Sequence, residues 1–149
     1  ALASINKGDV LLTLDRSPDA EPSFLRAIEL APEDARGHAG LGRARARRGD
    51  ELGAIAAYDQ ALALDPSLSV VWHNRGSANA RLGNYAEAAA NFTRVLELAP
   101  ETWRARLSRG HVHKLNGAPA LAREDLEAVA EGAPGPLAAQ ARQLLHDLP

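Results

Sequence analysis

The side chains best able to do chemistry in this sequence are cationic. Of its 17 lysine and arginine residues, all but two, Lys7 and Lys114, are arginine. Arginine presents a planar set of N–H donors that binds carboxylates and phosphates in a bidentate manner. The formal net charge is nevertheless −2 at pH 7, so a basic surface requires that the acidic residues lie elsewhere on the molecule. The residue types therefore indicate recognition of an anionic group, provided that the fold gathers the arginines together.

Residue patterns typical of catalysis and of metal binding are missing. His111 and His113 are two residues apart, which would place them on different faces of a helix, and the chain has no cysteine. The glycines do not form a phosphate-binding loop, and no serine lies in a nucleophile-elbow motif. We therefore predict a protein that is not an enzyme, with no catalytic residue, no metal site and no cofactor.

Equally spaced prolines mark a repeat in the chain. A fixed period in this range is typical of repeat architectures. Proline cannot continue a helix and is expected to end one in each repeat. The prolines, 34 residues apart, are Pro32, Pro66, Pro100 and Pro134, and placing each at position 32 of its unit gives repeats 1–34, 35–68, 69–102 and 103–136.

Other positions recur with the same period. We expect the small residues at positions 8 and 20 to let two helices cross closely, and the large residue at position 24 to fill the space beside them. Glycine at position 15 is expected to end the first helix, because it adopts positive φ without penalty. Position 8 is Gly8, Gly42, Gly76 and Gly110; position 20 is Ala20, Ala54, Ala88 and Ala122; position 24 is Phe24, Tyr58, Phe92 and Leu126; position 15 is Asp15, Gly49, Gly83 and Gly117.

Residues at the predicted helix starts are typical N-caps. Ser17 precedes Pro18, Asn84 with Glu87 forms a predicted capping box, and Thr102 precedes the fourth unit.

This pattern resembles the tetratricopeptide repeat over residues 1–136. The resemblance implies an all-α fold, a right-handed solenoid of antiparallel helix pairs that forms a single domain over 1–149. Residues 137–148 are amphipathic and are predicted to form a capping helix over the last repeat, after a turn that contains Gly132, Pro134, Gly135 and Pro136. The third unit carries the resemblance best, through Trp72, Gly76, Leu82, Gly83, Tyr85, Ala88, Phe92 and Pro100.

The end units depart from the family pattern. Gly132 replaces the leucine found at position 30 of the other three units, and Arg106 and Arg109 occupy positions 4 and 7 of the fourth. Trp103 at position 1 is interpreted either as an interface aromatic or as packing on the preceding turn.

The charges divide between the two helices of each repeat. In this family the first helices line an inner, concave wall, and in units two to four they span 35–48, 69–82 and 103–116. These spans hold 11 basic residues and no acidic residue, whereas the second helices are mainly acidic. The resemblance places positions 2, 5, 6, 9, 12 and 13 in the groove. The predicted site residues there are Arg36, Arg43, Arg47, His73, Asn74, Arg81, Arg104, Ser108, His111 and Lys114.

We predict from this division a non-catalytic protein-interaction module that binds an acidic peptide or protein segment, such as one with a free C-terminal carboxylate. A focused positive field in a concave wall favours such a ligand. The alternative is that some of these arginines pair with acidic residues of the adjacent second helix, or form a solvated basic face.

A sharper hypothesis is the carboxylate clamp with which some family members hold the C-terminal tails of heat-shock chaperones. Asn74 matches that clamp and Arg104 conserves its charge, but Ala39 and Ser108 do not fit. The departures argue against a complete clamp.

Other functions stay open at this point. The chain could be a structural scaffold that self-associates through its terminal repeats, with Leu2, Ile5, Leu11 and Leu12 as a packing edge, or the targeting arm of a larger enzyme. Nucleic acid is disfavoured because the groove lacks aromatic residues for base stacking.

A few features of the sequence bear on its ends and its compartment. No apolar run approaches the roughly 18 residues that span a membrane. The chain begins with Ala1 and has no methionine, which we interpret as an excised piece of a longer protein or as a processed protein. We expect a bacterial source. We favour the cytoplasm over the periplasm.

Overall fold

The computed structural model describes all 149 residues and contains nine α-helices and no strand. The chain divides into two compact units, residues 1–78 and 79–149. The helices are α1 (Leu2–Thr13), α2 (Ser17–Leu30), α3 (Ala35–Arg47), α4 (Glu51–Leu64), α5 (Ser69–Arg81), α6 (Tyr85–Leu98), α7 (Trp103–Leu115), α8 (Pro119–Gly132) and α9 (Gly135–His146).

The helices end where the repeat predicts. Each second helix stops two residues before its proline: α2, α4, α6 and α8 end at Leu30, Leu64, Leu98 and Gly132. Each first helix is followed by a residue with positive φ. That residue is glycine in three units, with φ between 72° and 80°, and Asp15, with φ of 57°, in the first. The residues that end the helices therefore act through local backbone geometry, and they can be identified from the sequence.

The two helices of each repeat cross closely, which explains the small residues at positions 8 and 20. The alanines at position 20 are completely buried in all four repeats, beside the buried residues at position 24. A Cβ atom on Gly8 would lie 2.6 Å from Cζ of Phe24, and one on Gly110 would lie 2.9 Å from Cγ of Leu126. Interiors are packed too densely to absorb such an overlap without movement. The predicted role of position 8 is confirmed for these repeats.

Trp103 and Gly132 form a compensating pair in the fourth repeat. Trp103 packs within the apolar cluster of α7, α8 and α9. Its ring lies over the last turn of α8, so a Cβ atom on Gly132 would be 2.5 Å from Cη2 of the indole. The break at position 30 therefore makes room for the unusual aromatic at position 1. Neither of the two predicted roles for Trp103 includes this contact.

Three local predictions are wrong. Asn84 makes no capping hydrogen bond, because its side-chain amide donates instead to Oδ1 of Asn79 at 3.4 Å. Thr102 does not cap α7, since its hydroxyl donates to the carbonyl of Ala99 at 2.8 Å. Ser17 is the first residue of α2 and not its cap.

The helix that follows the fourth repeat begins earlier than predicted. The α9 helix spans Gly135–His146, not residues 137–148, because Pro136 occupies its first turn, where a missing N–H costs nothing. Gly132 still belongs to α8, so the predicted turn contracts to Ala133 and Pro134. Leu137, Leu144, Leu145 and Leu148 pack on the cluster that contains Leu126 and Val129 of α8.

Candidate functional site

The ten predicted site residues all lie on first helices. The N-terminal unit holds Arg36, Arg43 and Arg47 on α3, and His73 and Asn74 on the part of α5 that belongs to it. The C-terminal unit holds Arg81 at the end of α5, and Arg104, Ser108, His111 and Lys114 on α7.

In the N-terminal unit, Arg43 is held across the wall formed by α1 and α3. Its guanidinium donates to Oδ1 of Asp9 at 2.5 Å and stands 5.9 Å from the ring centroid of Phe24. The two charged side chains remain 41% and 44% exposed. An ion pair this accessible contributes little net stability, about 0–1 kcal/mol. A carboxylate from a ligand can therefore compete with Asp9 for Arg43.

Arg47 and Arg36 are also tied to their own unit. Arg47 donates to the carbonyl of Leu12 at 2.8 Å and lies 3.7 Å from the carboxylate of Asp15. Arg36 binds the N-capping carboxylate of Asp34 at 2.7 Å, and this hydrogen bond lowers the pKa of Asp34. Both arginines keep more than half of their side-chain surface exposed.

Arginines outside the predicted site pair with the adjacent second helix. Arg45 and Arg48 share Glu21 of α2, at 3.0 and 2.5 Å, and Arg75 binds Asp59 of α4 at 2.7 Å. These three residues lie outside the predicted site, so the alternative that site arginines pair with acidic residues of the adjacent second helix stays a prediction. Because these three arginines bind carboxylates of the neighbouring helix, they are less available to a ligand than the exposed arginines of the predicted site.

Arg109 makes the most buried ion pair described in the C-terminal unit. Its Nε and Nη2 each donate to Asp125 at 2.8 Å, and its Nη1 donates to the hydroxyl of Thr93 at 3.1 Å. The side chain of Asp125 is only 5% exposed. The hydrogen bonds to Asp125 raise the pKa of Arg109. Arg109 therefore links α6, α7 and α8 as a structural residue.

A polar stripe runs along the accessible side of α7. Arg104, Ser108 and His111 are spaced i, i+4 and i+7, which puts them on one face of a helix. Arg104 is exposed and makes no ion pair or hydrogen bond with another side chain. Arg106 lies on a different side, with its guanidinium 5.9 Å from the centroid of the Trp103 ring.

Beyond this stripe, the charge of Lys114 is partly neutralised by the carboxylate that follows α9. The ammonium group of Lys114 lies 3.4 Å from the carbonyl of Leu144 and 3.7 Å from the carboxylate of Asp147. Partial burial and the nearby Lys114 lower the pKa of His111. His111 is therefore neutral at pH 7 and donates or accepts a hydrogen bond there without adding charge.

Sequence reasoning missed the acids that accompany the site. Asp9 and Asp15 belong to the first unit, and Asp147 follows the fourth, whereas the predicted charge division considered units two to four. A signal was present for one of them: Asp9 and Arg43 are 34 residues apart, one full repeat, so they occupy the same position of adjacent first helices.

The structure shows no group of three or more His, Cys, Asp or Glu side chains that could hold a metal ion. None of its helices has the length and apolar character needed to cross a bilayer.

Comparison with known proteins identifies the repeat. Two family models, both described as tetratricopeptide repeat, match residues 5–69 and 69–102. The wheat (Triticum aestivum) Hsp70-Hsp90 organizing protein is 40% identical over 62 residues, which are 42% of this chain and 11% of the relative. This chain thus spans about a tenth of that relative's length.

Two solved structures are similar over most of the chain. Pseudomonas aeruginosa pilF is 26% identical, with a TM-score of 0.84, and the match covers 97% of this chain and 67% of pilF. The second TPR domain of human RPAP3, solved in complex with the HSP70 peptide SGPTIEEVD, is 25% identical with a TM-score of 0.73; the match covers 76% of this chain and 95% of that domain. Together with the nine helices, these likenesses confirm the predicted all-α helical-repeat solenoid class. The tetratricopeptide repeat is a non-catalytic protein-interaction fold.

Proposed function

Because this chain belongs to the tetratricopeptide repeat family, we propose that it is a protein-interaction module that binds an acidic peptide segment on the basic side of its first helices. The observation that carries the proposal is the division of charge within the repeats. The first helices of units two to four hold 11 basic residues and no acidic one. Arginines on helices that carry no acidic residue of their own favour an anionic partner.

The accessible cations support this ligand chemistry. Arg104 is exposed and unpaired, and Arg43 and Arg47 are 41% and 51% exposed in contacts that solvent reaches. The buried or strongly shared arginines, such as Arg109, are not part of the proposed surface. The residues that we propose to bind the partner remain those of the predicted site.

A similar protein supplies a suitable probe. The peptide SGPTIEEVD in the human RPAP3 complex carries two glutamates and a terminal aspartate, which is the ligand chemistry proposed for this chain. Ala39 and Ser108 stand where the chaperone clamp needs lysine and arginine. We therefore propose that carboxylates are bound by the arginines of this chain, in a way that differs in detail from the clamp.

The test is a calorimetric titration of the chain with SGPTIEEVD at about 0.15 M ionic strength, where the Debye length is about 8 Å. The triple variant Arg43→Glu, Arg81→Glu, Arg104→Glu should lose at least about tenfold in affinity, since each reversal replaces attraction with repulsion. The matched control is Arg26→Glu, Arg94→Glu, Arg123→Glu, which changes the net charge equally on exposed sites of second helices.

The control variant should bind within about twofold of the unaltered chain, because exposed charges beyond a Debye length are largely screened. No binding by the unaltered chain, or equal losses in the two triple variants, would contradict the proposal.

A further inference from the structure

A cleft of about 610 Å³ lies in the N-terminal unit, between the turn that joins α2 to α3 and the turn that follows α4. The first turn is preceded by a complete helix pair, and the second is followed by α5. The cleft therefore lies within the repeat array and not at an end of the chain. We call it the turn cleft, and its apolar residues are Ala31, Ala35, Leu64 and Leu68.

The apolar residues of the turn cleft continue the core of the second repeat. Ala35 and Leu68 pack against the apolar cluster that contains Ala61 and Val71, and Leu64 keeps 37% of its surface exposed. Apolar atoms on a concave surface are stabilised when a matching side chain excludes water from them. A closed apolar cavity of about 150 Å³ already holds benzene, so the turn cleft has room for an aromatic ring.

The fourth repeat shows which side chain fits at this place. Trp103 and Gly132 occupy repeat positions 1 and 30, which are Ala35 and Leu64 in the second repeat. In the fourth repeat the indole covers the end of the second helix, and a Cβ atom on Gly132 would lie 2.5 Å from Cη2 of the ring. The second repeat has no ring of its own at position 1, so a ring from another molecule can lie against Leu64 there.

The rim of the turn cleft carries negative charge that no cation neutralises. Asp34 is paired with Arg36 at 2.7 Å, so these two side chains cancel. Glu33 is exposed and makes no ion pair. The carboxylate of Asp65 accepts hydrogen bonds from the backbone N–H and the hydroxyl of Ser67, at 3.0 and 2.6 Å. Two carboxylates without a cation favour a basic ligand.

We infer that the turn cleft binds a segment of a partner protein in which a tryptophan is flanked by basic residues. The indole lies against Ala35 and Leu64, as the ring of Trp103 does at the same repeat positions, and the flanking cations pair with Glu33 and Asp65. This site is distinct from the basic site proposed for acidic peptides, because it selects the opposite charge.

A second copy of the chain does not supply the ring. None of its tryptophan, tyrosine and phenylalanine side chains is exposed. Trp72 donates a hydrogen bond to the carbonyl of its preceding turn, and Trp103 packs in its own apolar cluster. The edge that the sequence predicts for self-association is also wrong in part, since Ile5 and Leu12 are 5% and 3% exposed and belong to the core of the N-terminal unit.

The experiment is a titration of the ¹⁵N-labelled chain with the peptide acetyl-GKWKG-amide, followed by NMR. We expect the largest shift changes at residues 31, 35, 64 and 68. The peptides acetyl-GKAKG-amide and acetyl-GEWEG-amide should bind at least about fivefold more weakly, because the first lacks the ring and the second is repelled by the rim.

Two variants test the ring and the charge separately. Ala35→Trp with Leu64→Gly gives the second repeat the two residues of the fourth, so its own indole should fill the cleft and weaken binding at least about tenfold. Circular dichroism of this variant should show the helix content of the unaltered chain.

Glu33→Gln with Asp65→Asn keeps the cleft open and removes the charge of its rim. This variant should weaken binding about threefold to tenfold. Its matched control is Glu87→Gln with Glu127→Gln, two exposed residues of the C-terminal unit that do not line the cleft, and binding should change less than about twofold.

The affinity for SGPTIEEVD, measured on the same variants, separates this inference from the proposed function, and it should change less than about twofold in Glu33→Gln with Asp65→Asn. Three results would each overturn the inference: no shift changes at the cleft residues with millimolar acetyl-GKWKG-amide, equal binding of the alanine peptide, or equal effects of the rim variant and its matched control.

Discussion

At the residue scale, the acidic partner of each arginine determines how accessible that arginine is to a ligand. Asp9 occupies Arg43 in the free protein, in a pair that is accessible to solvent. Replacing Asp9 with asparagine removes the competing carboxylate and leaves a polar side chain of the same size. We predict that Asp9→Asn increases the affinity for SGPTIEEVD about threefold to tenfold, with a change in unfolding free energy below about 1 kcal/mol.

The control for this prediction is Asp19→Asn, which removes an acid from α2 that pairs with Arg16. It changes the net charge by the same amount, away from the first helices. A calorimetric titration that finds equal gains for the two variants would show that net charge, and not the release of Arg43, is responsible.

A second prediction at this scale concerns the buried pair in the C-terminal unit. Asp125→Ala leaves the guanidinium of Arg109 partly buried and without its two charged hydrogen bonds. We expect it to lower the unfolding free energy by about 2–4 kcal/mol in urea denaturation.

Asp59→Ala is the matched comparison, because Asp59 pairs with an arginine at the same repeat position but is 48% exposed. Its cost should stay near 1 kcal/mol or below. Similar losses in the two variants would contradict the structural role given to Arg109.

At the scale of the helices, the contact of Trp103 with Gly132 predicts that Gly132→Ala changes stability in opposite directions with and without the indole ring. Gly132→Ala alone should destabilise by about 1–3 kcal/mol, because the new methyl group overlaps the indole ring. In a Trp103→Ala background the same substitution should stabilise by up to about 1 kcal/mol, since alanine is the better helix former. Thermal or urea unfolding of the four proteins measures the coupling, and an additive result would contradict the contact.

The sequence predicted the bounds of the helices better than the side-chain contacts that depend on the folded structure. Glycine and proline end a helix through local backbone geometry, so the ends of α1 to α8 follow from the repeat alone. The caps failed because the side chains of Asn84 and Thr102 are oriented by hydrogen bonds that they donate to Asn79 and to the carbonyl of Ala99, which a linear pattern does not show. The start of α9 was missed because proline both ends helices and occupies their first turn.

For the candidate site, the sequence predicted which helix carries each residue. The partners of those residues were not, because Asp9 and Arg43 become neighbours only when two repeats stack. Likewise, the sequence shows Gly132 only as a departure from the repeat. The structure explains it, because the ring of Trp103 packs over this residue.

For the molecule as a whole, the free energy of unfolding is expected to depend on pH through the histidines of α7. Partial burial lowers the pKa of both His111 and His113. Below the unfolded value near 6.5, the unfolded chain binds protons that the folded chain does not, so unfolding becomes easier as the pH falls. Urea denaturation between pH 7.5 and 5.5 should show this decrease, and His111→Gln with His113→Gln should reduce its slope. An unchanged slope would contradict the assignment to these two side chains.

The measurement that tests the central claim most directly is a chemical-shift map of the ¹⁵N-labelled chain saturated with SGPTIEEVD. If carboxylates bind the arginines of the first helices, the largest changes occur on α3, α5 and α7, around Arg43, Arg81 and Arg104, and weaken as salt is added. Changes confined to the second helices, or none at saturating peptide, would show that the basic side of the first helices does not form the binding surface.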